Sequence, residues 1–249
     1  MGSSRLPGKV MMKLDDKNTV LEYVINQVSF CKLIDRRIIA TTDLEQDNII
    51  EETGKTLGLE IFRGSSDNVL DRYYECAKKF KVDHIVRITS DCPLIDPEIV
   101  DRVIEEYLTK KYDYVSNTLP RTFPIGTDVE IFSFSSLEKI WKNATLSSEK
   151  EHVTPYIRNK KEEFSIGNIE NSEKIGHLRW TLDRVEDYNL IKKIVSEIDN
   201  RPIFIANILD LFSKQPELIK INAGISPDEG ITRSLERDKQ EMDTSLDQI

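Results

Sequence analysis

Apolar residues recur along this chain at two spacings, and their alternation is the first structural signal. Val20, Leu21, Val24, Ile25 and Val28 fall three or four apart, the period of one helix face. Thr19-Val-Leu-Glu22 has capping-box spacing, so a helix is expected from there to about Cys31. Arg37–Thr41 reads as a short buried strand, followed by a helix over Asp47–Leu57, a strand over Leu59–Phe62 and a helix over Asp67–Phe80. A third strand, His84–Thr89, ends at Ser90-Asp91-Cys92-Pro93. The next helix, Pro97–Leu108, has proline at the favoured first position. Strands and helices alternating through short loops predict an α/β fold with a parallel sheet and right-handed crossovers.

The regularity weakens after Tyr112–Ser116. Leu119–Thr127 holds two prolines and a glycine and reads as a loop or lid. Beyond it come a strand over Val129–Ser133, a helix over Ser135–Lys142 and a helix over Glu149–Lys160 interrupted in character by Pro155. Phe164–Glu170 and Leu178–Asp183 alternate as strands, and Val185–Ile198 and Ile205–Lys214 as helices. No repeat and no linker is visible. The expected organisation is one domain over 1–225 with an inserted excursion near 117–170. A polar tail, 226–249, should end in disordered residues.

Bulk composition narrows the class. The 249 residues are 39% hydrophobic and 32% charged, enough to bury a core. No apolar run reaches membrane-spanning length, so no membrane is expected as a partner. A net charge of −9 argues against general nucleic-acid binding. Cys31, Cys76 and Cys92 are few, odd in number and widely spaced, which points away from a disulfide framework and towards a reducing cytoplasm.

The candidate chemistry begins at the first line, Met1-Gly2-Ser3-Ser4-Arg5-Leu6-Pro7-Gly8-Lys9. Glycines, hydroxyls and two fixed cations suit a polyphosphate. The stretch lacks the Walker spacing and the Gly-x-Gly-x-x-Gly pattern of dinucleotide-binding folds. In open parallel sheets ligands bind beyond the carboxyl ends of strands. Asp43 and Asp67 there read first as helix caps. Asp91, at a strand end and followed two residues on by Pro93, could share a magnesium with another carboxylate such as Asp183. Spacing alone does not pair two distant aspartates, and these features leave nucleotidyl transfer, kinase, dehydrogenase and binding functions open.

Five stretches in fixed order resolve the choice. They are Gly2–Lys9, Arg63-Gly-Ser-Ser-Asp-Asn-Val-Leu-Asp71-Arg72, Thr89-Ser-Asp91-Cys-Pro-Leu-Ile-Asp96, Glu151-His-Val-Thr-Pro-Tyr156 and Arg179-Trp-Thr-Leu-Asp183-Arg-Val-Glu-Asp187-Tyr188. Together they resemble the cytidylyltransferase family of spore coat polysaccharide biosynthesis protein F, whose wider relatives are the CMP-sialic acid and CMP-KDO synthetases. The resemblance implies a Rossmann-like three-layer α/β/α nucleotidyltransferase fold with a mostly parallel sheet. It implies transfer of CMP from CTP to an acidic sugar with release of pyrophosphate, in a magnesium-dependent homodimer. By similarity Ser3, Arg5 and Lys9 hold the triphosphate, with Lys9, Arg5 and Asp91 in catalytic roles. Asp91 and Asp183 match magnesium-binding carboxylates. Arg72, and more loosely Asp67, fall near the nucleoside. Asp128, Glu130, Glu151, His152 and Tyr156 are candidates for the sugar side or a dimer arm.

Two departures accompany the resemblance. Thr181-Leu182-Asp183 replaces the Asp-x-Asp pair of the sialic acid relatives, so two aspartates of that motif cannot both hold metal. The family's first motif also opens on a hydrophobic strand ending in Ala-Arg, ahead of the position of Met1. The expectation is therefore a start at an internal methionine, a missing first strand and one fewer phosphate ligand. The alternatives are a glycosyltransferase using a preformed nucleotide sugar and an inactive, truncated nucleotide-binding protein.

Overall fold

The capping box at Thr19 forms as its spacing predicts. Thr19 Oγ1 accepts the Glu22 N–H at 3.3 Å, and the Thr19 N–H donates to Glu22 Oε2 at 2.6 Å. It opens α1 (Val20–Val28). A computed structural model describes residues 1–226 and 229–246, the side chains of 229–231 and 242–246 excepted. The order continues with β1 (Ile38–Thr42), α2 (Asn48–Thr56), β2 (Glu60–Gly64), α3 (Val69–Phe80), β3 (His84–Arg87) and α4 (Pro97–Lys110). Then come β4 (Tyr114–Ser116), β5 (Glu130–Ser133), α5 (Phe134–Asn143), α6 (Ser147–His152), α7 (Pro155–Asn159) and β6 (Ile166–Asn168). The chain ends with α8 (Val185–Glu197), α9 (Ile205–Lys214) and α10 (Glu229–Leu246).

Among the described residues the strands form two sheets. β1 and β2 pair in parallel, and the second sheet has the order β3-β5-β4-β6. Within it β3, β4 and β6 run one way, with β5 reversed between β3 and β4. Residues 117–170, expected as an inserted excursion, supply β5 and β6 to this sheet.

Side-chain alternation covers the larger sheet on both faces. Ile85, Tyr114 and Phe132 pack on one side with Leu70, Leu137, Ile140 and Ile157 of α3, α5 and α7. Their chain neighbours Val115 and Ile131 pack on the other with Ile99, Val103 and Ile104 of α4. Each such side chain contributes about 1.5–3 kcal/mol of transfer free energy, which is what holds three layers together. A further cluster places Trp180 and Leu182 against Leu190, Ile194 and Phe212 of α8 and α9.

Three segments differ from expectation. Leu178–Asp183 is extended but is not a strand. Its backbone is shared between two loops, since Ile125 N–H donates to Leu178 O, Trp180 N–H to Ile125 O, and Leu182 N–H to Asp91 O. Gly126, at φ 100°, allows the close approach: a Cβ there would meet Thr181 N at 2.5 Å.

The helix expected over Glu149–Lys160 is two, α6 and α7, separated at Val153. That buried, β-branched residue has φ 72°, a strained conformation next to Thr154, whose hydroxyl reaches Glu130 at 2.6 Å.

Most of the polar tail is helix α10, docked on α6 through Ser234 and Asp238. The last residues, 247–249, where disorder was expected, lie outside the described ones.

Candidate active site

Lys9 stands between two carboxylates that are far apart in sequence. Its Nζ donates to Asp91 Oδ2 at 2.7 Å and to Asp183 Oδ1 at 2.8 Å. Arg5 Nη2 lies 2.7 Å from the same Asp183 oxygen. The pairing that spacing could not supply is thus made by the fold, and the opening loop makes it.

Local folding explains how. Gly8, at φ 71°, starts a short 3-10 turn over Lys9–Met11, and Gly8 N–H closes back on Met1 O. Val10 is buried against Leu21 and Ile50, while Leu6 packs on the cluster that holds Trp180 and Leu182. These two anchors set the course of the loop, and Arg5 and Lys9, each next to an anchor, reach the carboxylates. Ser3 serves the loop itself, its Oγ accepting the Leu6 N–H at 3.3 Å.

Asp91 follows β3 by four residues, in a turn held by Cys92, Leu94 and Ile95, all buried. Its backbone oxygen accepts the Leu182 N–H and, at 3.3 Å, the Thr181 hydroxyl. Thr181, which replaces the first aspartate of the relatives' pair, thereby ties the two carboxylate-bearing segments together. Asp183 is aimed from behind. Arg179 Nη2 donates to Asp183 Oδ2 at 2.9 Å, and Arg179 also binds both oxygens of fully buried Asp187. Asp187 in turn accepts the Asp183 and Arg184 N–H groups and the Asn222 amide. A cleft of about 530 Å³ opens beside this support, lined in part by Arg184, Asn222 and Ile225.

Burial would lower the Lys9 ammonium's pKa, but Asp91 and Asp183 outweigh it, and the group is held above its ordinary value. Burial would raise the Asp91 carboxyl, and Lys9 outweighs that, so it lies below its ordinary range. Both stay charged near neutrality. Burial pushes the Cys92 thiol up, with the charges of Asp91 and Asp128 adding to the effect.

The other predicted residues are placed elsewhere. Asp128 is gripped by Nη1 and Nη2 of Arg121, at 2.6 and 2.7 Å. Glu130 is closed within the fold: Arg87 holds one oxygen, and Arg158, Tyr114 and Thr154 hold the other at 2.6–2.8 Å. Glu151 and His152 meet Ser234 of α10 at 2.9 and 2.8 Å. Tyr156 lies edge-on to Phe164. Arg72 donates to Ser65 O, while its Nε is buried without a partner. Asp67 accepts the Ser66 hydroxyl, and the cap of α3 is Asn68 instead. Arg179, Asp187, Asn222 and Arg121 received no role from the sequence, although Asp187 sits at the capping distance from Arg184.

A sheet covered on both faces, with a cation-bearing loop over Asp91 beyond β3 and Asp183 on the segment bonded to it, is that of a nucleotidyltransferase-like α/β protein. The sequence model of the cytidylyltransferase family matches residues 1–222, and the chain belongs to that family. It is 37% identical over 226 residues to an uncharacterized protein of Methanocaldococcus jannaschii, covering 90% of this chain and 91% of that one. It is 33% identical over 225 residues to the spore coat polysaccharide biosynthesis protein SpsF of Bacillus subtilis, covering 87% and 92%. Among solved structures, a cytidylyltransferase from Leptospira borgpetersenii superposes with a TM-score of 0.84 at 34% identity, covering 88% of this chain and 92% of that one. CMP:2-keto-3-deoxy-manno-octonic acid synthetase complexed with CTP shares the fold at a TM-score of 0.61 and 13% identity, over 79% and 95% of the two chains. No helix among the described residues is long and apolar enough to cross a membrane.

Proposed function

We propose that this chain transfers CMP from CTP to an acidic sugar and releases pyrophosphate, for a surface polysaccharide or glycan. The observation that carries the reading is the meeting of Lys9, Arg5, Asp91 and Asp183 at one point beyond the strand ends. Lys9 and Arg5 neutralise the triphosphate and the charge that grows on the leaving pyrophosphate. Catalysis of this kind is positioning plus electrostatic stabilisation. A sugar hydroxyl attacks the α-phosphorus, the bond to the bridging oxygen breaks, and the hydroxyl proton is released. Asp128, paired with Arg121, is a candidate for the sugar side. Names among the relatives support the acceptor class. Besides SpsF, a 3-deoxy-manno-octulosonate cytidylyltransferase of Trichlorobacter lovleyi is 34% identical over 109 residues, 43% of this chain and 41% of that one.

Magnesium fits the donor set. Two carboxylates close enough to share one ammonium, Asp91 and Asp183, would hold one divalent cation together with a nucleotide's phosphates. When bound, the ion would screen phosphate charge beside Asp91 and Asp183.

The test is pyrophosphate release from CTP, ATP, GTP and UTP with magnesium, across acidic sugars including 3-deoxy-manno-octulosonate. Release dependent on both CTP and an acidic sugar is expected. Release with no pair, or consumption of a preformed nucleotide sugar instead, overturns the reading.

A further inference from the structure

The oxygens best placed for a divalent cation are already occupied by the protein's own charges. Lys9 Nζ touches both Asp91 Oδ2 and Asp183 Oδ1, and Arg5 shares the latter oxygen. Arg179 is different. It holds the other Asp183 oxygen, and it is locked in turn by Asp187, whose carboxylate also binds Asn222. One arginine therefore fixes the direction of Asp183 while two cations on the opening loop cover its working face. The covering pair sits on long stems, and the loop carrying it is a turn with few backbone bonds, Gly8 N–H to Met1 O and Lys9 N–H to Leu6 O among them.

We propose that Lys9 is an exchangeable counter-ion that makes metal binding depend on the nucleotide. This rests on the reading above, that the same loop binds a triphosphate. In the nucleotide-free chain Lys9 fills the space between Asp91 and Asp183. The charges of Asp91 and Asp183 are then balanced by Lys9 and Arg5, and a divalent cation arriving alone finds no net attraction and a bound ammonium to expel. A triphosphate offers Lys9 and Arg5 several oxygens of higher charge. Their transfer to it uncovers two carboxylates already aimed at a common point by Arg179 and by the Thr181–Asp91 tie. The coupling is reciprocal: whatever factor the nucleotide adds to cation affinity, the cation adds to nucleotide affinity. Asp91 and Asp183 would thus bind cation strongly only when phosphate is present to be activated.

The test compares Mn²⁺ binding by two nucleotide-free proteins, wild type and Lys9→Met, by the electron paramagnetic resonance signal of free Mn²⁺. The variant is expected to bind one Mn²⁺ at least tenfold more tightly than wild type, and adding Asp91→Asn should abolish that gain. Equal affinities, or no binding by either protein, overturn the proposal. Should Lys9→Met fail to fold, Lys9→Gln carries the same comparison with a polar side chain. A chain that binds no CTP would refute the functional reading, yet the comparison of the two nucleotide-free proteins would still decide whether Lys9 excludes the ion.

Discussion

Two clusters of carboxylates and cations among the described residues are built from the same groups and differ in who supplies the charge. At Glu130 the cations come from regular elements: Arg87 from β3 and Arg158 from α7, with Tyr114 of β4 and buried Thr154 completing the set. The Glu130 side chain is 4% exposed, and Arg87, Tyr114 and Arg158 are fixed by the elements that carry them. At Asp91 and Asp183 the cations come from an irregular loop, and the Asp91 side chain keeps 25% of its surface. The first cluster fastens three strands and a helix together. In the second, on the reading proposed above, a ligand takes over the charges that cover the carboxylates. A saturated carboxylate on regular elements is a clamp, whereas a carboxylate facing loop-borne cations is a candidate site.

The largest expected effect breaks the clamp. Glu130→Ala leaves Arg87 and Arg158 buried without their counter-charge, and a loss of about 3–5 kcal/mol of stability follows. Denaturant unfolding measures it. A loss under about 1 kcal/mol, with a raised KM for the sugar instead, would make Glu130 a ligand and erase the distinction. The complementary change is Asp183→Asn. Removing that charge should lower kcat by roughly 10²–10³-fold, while stability falls by less than half of the Glu130→Ala loss, because Arg179 keeps Asp187. Steady-state pyrophosphate release and unfolding of the same preparation give both numbers.

The clamp also has a pH signature. Burial alone would raise the Glu130 carboxyl; Arg87 and Arg158 outweigh it, helped by the Thr154 and Tyr114 hydroxyls, and hold it at about 2 against an ordinary 4.5. A carboxyl depressed on folding stabilises fully above its unfolded value and loses that contribution as pH falls through its folded value. Glu130 therefore contributes on the order of 3 kcal/mol above about pH 4.5, declining towards pH 2. Unfolding free energies measured down that range should fall in wild type and flatten in Glu130→Gln. Parallel slopes in the two proteins would contradict the assignment.

What could be read in advance follows from the range of each signal. Helix and strand periods are local, so the alternation from α1 to α4 was visible, as was the Thr19 cap. The motif order brought Lys9, Asp91 and Asp183 onto one list. Their contact was not readable, because Lys9 meets partners 82 and 174 residues away. Glu130 read as a candidate for the sugar side or a dimer arm, and its saturation was not readable, because nothing in a strand sequence tells which face, or which neighbouring strand, will neutralise a carboxylate. Leu178–Asp183 read as a strand because its apolar alternation is genuine, but its backbone partners are loops. Asp187 had a visible spacing from Asp183, yet an acid in a helix's first turn is ordinary, and its hold on Arg179 exists only in three dimensions.

Helix α10 shows the limit most plainly and gives the smallest effect. The contacts that dock its described side chains on α6 are polar. Ser234 meets His152 and Glu151, and Asp238 Oδ1 accepts the Ser148 N–H at the start of α6. A hydrophobic periodicity cannot reveal a helix held this way, and the tail's composition pointed only to a polar segment ending in disorder. Asp238 acts as a cap supplied by another helix, satisfying an N–H that α6 leaves open. Asp238→Ala should therefore cost about 1 kcal/mol. The loss should be local, seen as faster amide hydrogen exchange in α10 and at Ser148 with little change in β3 to β5. Exchange that quickens through the sheet as well would tie α10 to the clamp at Glu130 through His152, whose pKa burial lowers and which feels the charges of Arg87, Arg158 and Glu130. Exchange confined to the two helices would leave the clamp and α10 as independent fastenings.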